Sequence, residues 1–325
     1  MLVEIENDGI IGYGEASLPP YLGETQQSAK TFFSKIDWSR YPDPFLLQDI
    51  LTDIDRVAAG NRAAKAAVDI ALHDWIGKAV GKPLHRLWGL NPRAIPATSF
   101  TIGIDGPDIV RRRVEEATGF HIYKVKLGGE TDREIVTAIR SVTDKPLRVD
   151  VNQGWTDKEK ALAMCEWLSG MGVEFVEQPL PADRIDDSAW LRERSPLPII
   201  ADESVASRAH IRRALGAFDG INVKLMKAGG MRESHTMILL AKALGLSVLL
   251  GCMTETSCAI SAAAQLAPLA DWIDLDGAEL IANDPFDGAT IEDGKLKMPG
   301  GNGIGAVKKP SHQQMSSSPL LKETI

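Results

Sequence analysis

From about Pro96 to Asp276, short β-branched runs alternate with helical stretches at a period of about 25 residues, and this repeat limits the fold more than any other feature. The runs are Ser99–Ile102, Tyr123–Leu127, Leu147–Asn152, Val173–Glu177, Pro198–Asp202, Ile221–Leu225, Ser247–Leu250 and Trp272–Asp276. Helical spacing falls between them, at Thr131–Ser141, Asp157–Ser169, Ser207–Leu215, Arg232–Leu244 and Ser257–Leu266. Eight such units predict an α/β fold, a (β/α)8-type TIM barrel rather than an open doubly wound sheet. The runs lack apolar/polar alternation, as strands covered by helices should. No helix follows Asp276, so the barrel takes a modified (β/α)7β form. The chain then leaves it through Asp284-Pro285-Phe286-Asp287-Gly288 and the glycine-rich segment from Pro299 to Gly305.

The flanking segments predict an α+β capping domain, with 1–92 as its N-terminal part, 93–283 as the barrel, and 284–325 as a return to the cap ending in a frayed polar tail from about Ser311. Leu2–Glu6 and Ile10–Tyr13 read as a hairpin around Asn7-Asp8-Gly9. A helix is expected from Asn61, its cap, to Lys78, ended by Gly77 and Gly81-Lys82-Pro83. A hairpin beginning at Met1 reads as the middle of a sheet whose first strand is absent. Neither GxGxxG nor GxxxxGK[ST] occurs in a strand-to-helix context, so no nucleotide cradle is expected.

With 36 Lys+Arg against 44 Asp+Glu, the chain carries a net charge of −8, which argues against a nucleic-acid partner. The Arg111-Arg112-Arg113 run, followed by Glu115-Glu116, reads as a solvated helix face. No segment approaches the roughly 18 apolar residues of a membrane-spanning helix. Cys165, Cys252 and Cys258 cannot all pair and form no CxxC, so a cytoplasmic location is expected.

Barrel active sites sit at the C-terminal ends of the strands, and here those ends are rich in ionisable groups. Asp150, Glu177 and Asp202 end three consecutive strands at intervals of 27 and 25 residues. Each alone could cap a helix or pair with an arginine. Together they would repel unless a cation joined them, and an all-oxygen set favours Mg²⁺, with Mn²⁺ as substitute, over zinc. Lys124 and Lys126 share the inward face of one strand, and Lys224 comes from the strand four units later, across the ring. Two close ammonium groups depress each other's pKa, which would prepare one as a general base. Lysines on either side of a metal suit removal of a proton α to a carboxylate and its return from the other face. Asp274 and Asp276 also share a face, suited to an ammonium group, with helix capping or a turn as the competing reading.

These residues resemble the enolase superfamily, within its muconate-lactonising subgroup, and most closely its dipeptide epimerases. The matching segments run in order along nearly the whole chain: Tyr123 to Lys126, Arg148 to Trp155, Val176 to Pro179, Ala201 to Ser204, Asn222 to Gly230, and Asp274 to Gly277. The resemblance implies one Mg²⁺ per subunit on Asp150, Glu177 and Asp202, with Lys126 and Lys224 as acid/base catalysts on opposite faces of the α-carbon. It implies that Lys124 tunes Lys126 and touches the substrate carboxylate. Thr101, Cys252 and Thr254 match substrate-contacting positions, and Asp274 with Asp276 the pair that holds a dipeptide's α-ammonium. The implied reaction is epimerisation of L-Ala-D/L-Glu or a similar dipeptide at its C-terminal residue, through an enediolate, in recycling of peptidoglycan peptides. Homo-oligomerisation is left open.

Mandelate-racemase-like members use a late-strand histidine, which this chain lacks at a strand end. A cycloisomerase, an o-succinylbenzoate synthase or an N-acylamino acid racemase is the alternative, and a non-catalytic metal- or peptide-binding remnant a second. In the family, a first strand and a mobile loop precede the hairpin and read the substrate's distal side chain. The sequence opens after both, so either its start is misassigned, the chain is incomplete, or the protein lacks its lid; only the last would leave an unpaired sheet edge and weaken activity.

Overall fold

The computed structural model describes residues 1–310, and the segment expected to fray, Ser311 to Ile325, lies outside the described residues. At the N-terminus, β1 (Leu2–Asn7) and β2 (Ile10–Glu15) form the antiparallel hairpin. Asp8 and Gly9 turn it with φ of 50° and 72°, the left-handed pair that Asp-Gly accommodates at least cost. Three helices follow, α1 (Gln26–Phe33), α2 (Leu47–Val57) and α3 (Arg62–Val80), then the single turn α4 (Leu84–Leu87). Helix α3 lies directly on β2: a Cβ on Gly14 would sit 1.9 Å from the Ala67 carbonyl oxygen, and one on Gly12 would sit 2.1 Å from that of Ala71.

The start and end of α3 differ from expectation. Asn61 takes φ 49° and makes no side-chain cap. The Glu24 carboxylate, 39 positions earlier than Ala63, accepts the Ala63 and Ala64 N–H groups at 3.0 and 3.3 Å, so a distant anion replaces the local cap. The helix also runs through Gly77 and stops at Gly81, whose φ is 70°. Gly77 is needed for close approach instead, since a Cβ there would lie 2.4 Å from Gly303 Cα.

All eight expected barrel strands are present, with no end moved by more than two residues: β3 (Phe100–Ile102), β4 (Tyr123–Lys126), β5 (Leu147–Asp150), β6 (Val173–Glu177), β7 (Ile199–Ala201), β8 (Gly220–Lys224), β9 (Ser247–Gly251) and β10 (Trp272–Asp274). They pair in parallel in chain order, and an isolated Thr98–Ile273 bridge joins β10 to the segment just before β3. The outer ring is α5 (Pro107–Glu116), α6 (Asp132–Arg140), α7 (Lys158–Ser169), α8 (Ile185–Arg194), α9 (Arg208–Ala214), α10 (Leu225–Ala228), α11 (Met231–Ala243) and α12 (Ser257–Ala264). A 3-10 turn, Gly277–Leu280, stands where an eighth helix would be. Apolar residues such as Val125, Val149, Val176, Ile221 and Val248 are fully buried between sheet and helices.

Past the barrel, β11 (Phe286–Asp287) pairs with β14 (Val307–Lys308), and β12 (Thr290–Glu292) with β13 (Lys295–Lys297). The buried Asp74 carboxylate gathers the Tyr13 and Ile304 N–H groups and the Lys78 ammonium, which ties β2, α3 and this last segment together. No helix among the described residues is long and apolar enough to cross a membrane.

Candidate active site

The βα alternation delivers the acidic residues to one rim. Asp150 ends β5, Glu177 ends β6 and Asp202 follows β7, and all three are buried. The backbone at this rim is bent into conformations that side chains rarely adopt: Asn152, Gln153 and Gln178 have φ of 45°, 68° and 37°. The buried Gln178 amide holds the bend, accepting the Asp202 and Ser204 N–H groups and donating to the Leu180 carbonyl and Ser204 Oγ. It thereby fixes the ends of β6 and β7 relative to each other.

Lys124 Nζ lies 3.1 Å from Asp150 Oδ2, 2.8 Å from Glu177 Oε2 and 2.9 Å from Asp274 Oδ2. Lys126 donates to Asp150 Oδ2 at 2.6 Å and to Asn152 Oδ1 at 3.0 Å. On the far side, Lys224 donates to Asp202 Oδ2 at 2.8 Å, and Lys227 donates to Asp202 Oδ1 and to the Asn222 carbonyl. Asn222 Nδ2 donates to Glu177 Oε1 at 2.6 Å.

For Lys124 the electrostatic balance is the reverse of the depression expected from Lys126. Burial pulls the Lys124 and Lys224 ammonium groups down, but the carboxylates outweigh it and hold both well above the usual lysine value. Asp150 and Asp202 are likewise raised by burial and then driven far below the carboxylate range by the lysines. Glu177 differs. Burial, reinforced by Asp150, outweighs Lys124 and pushes it to about 7.

Among the described residues, no three of these carboxylates meet at a single ligating point, because ammonium groups stand between them. The donor set nevertheless fits a hard cation. Glu177 Oε2, fully buried, has an ion-pair contact but no hydrogen bond, and Glu203 Oε2 also lacks a partner. Buried carboxylate oxygens left in this state are satisfied by an oxygen-seeking ion such as Mg²⁺.

Asp274 and Asp276 are buried at the end of β10. Asp274 accepts from Ser99 Oγ at 2.7 Å and from Lys124, and Asp276 accepts the Thr101 N–H at 2.7 Å. Burial and the neighbouring Asp274 push Asp276 to about 7. Cys252 lies half-buried beside this pair, its thiol raised by burial and then by Glu255, Asp276 and Asp274. Thr254 is exposed on the outer rim, where its carbonyl accepts from Ser17 Oγ at 2.9 Å. It borders a cleft of about 640 Å³ lined by residues from the cap, including Leu18, Pro20 and Glu24, rather than by the strand-end carboxylates.

Sequence reasoning missed Ser99, Asn222, Lys227 and Gln178. Two of them carried a usable signal, since Ser99 and Asn222 lie two residues before Thr101 and Lys224 on the same inward faces. Gln178 and Lys227 reach the site from a strained turn and from α10, which no periodicity marks.

Comparison with known proteins decides the lineage. Residues 1–89 match the mandelate racemase/muconate lactonizing enzyme N-terminal domain, and residues 109–311 the enolase C-terminal domain-like family. The chain belongs to the enolase superfamily. Within it, the chain stands among the dipeptide epimerases, enzymes of the isomerase class. It is 52% identical to the L-Ala-D/L-Glu epimerase of Bacteroides thetaiotaomicron, over 94% of this chain and 80% of that protein. The substrate-liganded L-Ala-D/L-Glu epimerase of Bacillus subtilis superposes with a TM-score of 0.88 at 30% identity, covering 94% of this chain and 90% of that one. The Cytophaga hutchinsonii dipeptide epimerase, complexed with Mg and D-Ala-L-Val, gives a TM-score of 0.89 at 28% identity, covering 96% and 89%.

Proposed function

We propose that this enolase-superfamily member is a Mg²⁺-dependent epimerase of L-Ala-D/L-Glu or a similar dipeptide, acting at the α-carbon of the C-terminal residue. The observation that carries the reading is the placement of two lysines at opposite ends of the carboxylate row, Lys126 on Asp150 and Lys224 on Asp202. Strands β4 and β8 hold them four positions apart in the ring. Asp150, Glu177 and Asp202 would hold Mg²⁺, or Mn²⁺ in its place, which when bound stabilises negative charge on the substrate's carboxylate oxygens.

The protein's own groups do the rest. A neutral lysine on one face takes the α-proton, and the ammonium of the other gives a proton to the opposite face. The proton count is unchanged, and the two lysines exchange roles in the reverse direction. Lys124 faces the carboxylate end of the substrate, and Asp274 with Asp276 its α-ammonium. Burial of Lys124, Glu177, Asp202 and Lys224 keeps water from that side of the site. A cytoplasmic role in recycling peptidoglycan peptides accords with this reading and with three free cysteines.

The test is α-proton exchange in D₂O, followed by mass spectrometry over a set of L,L-dipeptides. Lys126→Ala or Lys224→Ala is expected to lower exchange by about 10²- to 10⁴-fold, and chelation of the metal to abolish it. Undiminished exchange in both variants would sink the reading.

A further inference from the structure

The acidic pair is held across the seam where the barrel closes. Backbone pairing there is sparse: the Thr98–Ile273 bridge and a Ser99 N–H to Ile273 carbonyl bond at 3.4 Å. Side chains supply the remaining rungs. Thr98 Oγ1 accepts the Leu275 N–H at 3.0 Å, Ser99 Oγ donates to Asp274 Oδ1 at 2.7 Å, and the Thr101 N–H donates to Asp276 Oδ2 at 2.7 Å. Ser99 immediately precedes β3 and Thr101 lies within it, while Asp274 ends β10 and Asp276 opens the turn that follows, so each carboxylate has its own rung across the seam.

Ser99 is completely buried, and its hydroxyl engages one of the two oxygens of the buried Asp274. The other oxygen is thereby turned towards the barrel axis, where Lys124 now meets it. A charge-assisted O–H···O⁻ bond of this length fixes the plane of a carboxylate as well as its position. Without the hydroxyl, Asp274 Oδ1 would be left buried and unpaired, and the carboxylate would rotate to find another donor.

We propose that Ser99 is a positioning residue for ammonium recognition. By clamping Asp274 Oδ1, it presents Oδ2 to a free α-ammonium and so favours dipeptides over ligands of the same skeleton that lack that group. This rests on the reading of the site as a dipeptide epimerase. The preference is then a property of the barrel seam.

The experiment measures dissociation constants by calorimetry with saturating Mg²⁺, for L-Ala-L-Glu and for N-propanoyl-L-glutamate, which differs only in lacking the ammonium. The wild-type protein is expected to bind the dipeptide more tightly. Ser99→Ala should weaken dipeptide binding about tenfold with little change for the propanoyl compound, and Ser99→Thr, which keeps the hydroxyl, should restore the preference. Thermal melting verifies that each variant is folded, and an unfolded Ser99→Ala leaves Ser99→Cys, with its weaker donor, to show the same selective loss. Retained preference in a folded Ser99→Ala or Ser99→Cys variant overturns the inference alone, as does parallel weakening of both ligands. A wild-type protein that binds neither compound overturns this inference and the epimerase reading together.

Discussion

Glu255 shows how much one buried group can set. It is nearly inaccessible at the C-terminal rim of β9, its Oε1 accepts the Met253 N–H at 2.9 Å, and burial followed by the Glu15 charge pushes it to about 8. An acid raised in the folded state stabilises that state fully below its unfolded value of 4.5, and loses the contribution as pH climbs through about 8. The melting temperature should therefore fall between pH 6 and 9. Glu255→Gln, which stays neutral, should flatten that fall by at least about 1 kcal/mol, or about 2 °C in a melt. A fall of the same size in the variant would remove Glu255 as its cause.

Residue-scale chemistry was partly legible in the sequence. The three carboxylates, the lysines and the Asp274/Asp276 pair could be placed by strand-end position, because period-two geometry fixes which side chains point inward. Their charge states could not. Lys124 was expected to be depressed by Lys126, yet it is raised, because Asp150, Asp274 and Glu177 all contact its ammonium. Which neighbour is nearest depends on three strands brought together from distant parts of the chain.

Among elements, strand existence followed from local composition, since short β-branched runs bounded by turns have few other uses. Caps and glycines were harder to read. Glu24 caps α3 from a preceding loop, and Gly77 serves contact with Gly303 rather than helix termination. Gly14 has the same character. A methyl group there would meet the Ala67 carbonyl oxygen at 1.9 Å, with backbone on both sides and nothing flexible to yield. Gly14→Ala should destabilise the protein by about 1–3 kcal/mol, read as a lower denaturation midpoint in urea with an unchanged slope. An unchanged midpoint would mean that β2 can lift off α3 at no cost.

At the scale of the whole molecule, metal and fold should be linked. Glu177, held at about 7 chiefly by burial, must lose its proton to ligate a cation, and metal binding to the folded state alone stabilises it by mass action. Mg²⁺ at about a hundred times its dissociation constant should add about 2.7 kcal/mol. That corresponds to about 4 °C in melting temperature, with a larger increment at pH 8 than at pH 6. Equal increments at the two pH values would show that Glu177 is already ionised or lies outside the metal's reach.

The sequence by itself determined the barrel, the 3-10 turn in place of a helix directly after its last strand, and the rim on which the ionisable residues gather. Each follows from local periodicity, which is written in consecutive residues. The tertiary structure decided what those residues touch. Ser99 meets Asp274 across the closing seam, Asn222 steadies Glu177, and Lys227 reaches Asp202 from α10. The Ser99 contact arises only when the first and last strands of the barrel are joined, and the other two only when β6, β7 and β8 stand side by side, so their energies belong to the folded barrel rather than to any local stretch of chain.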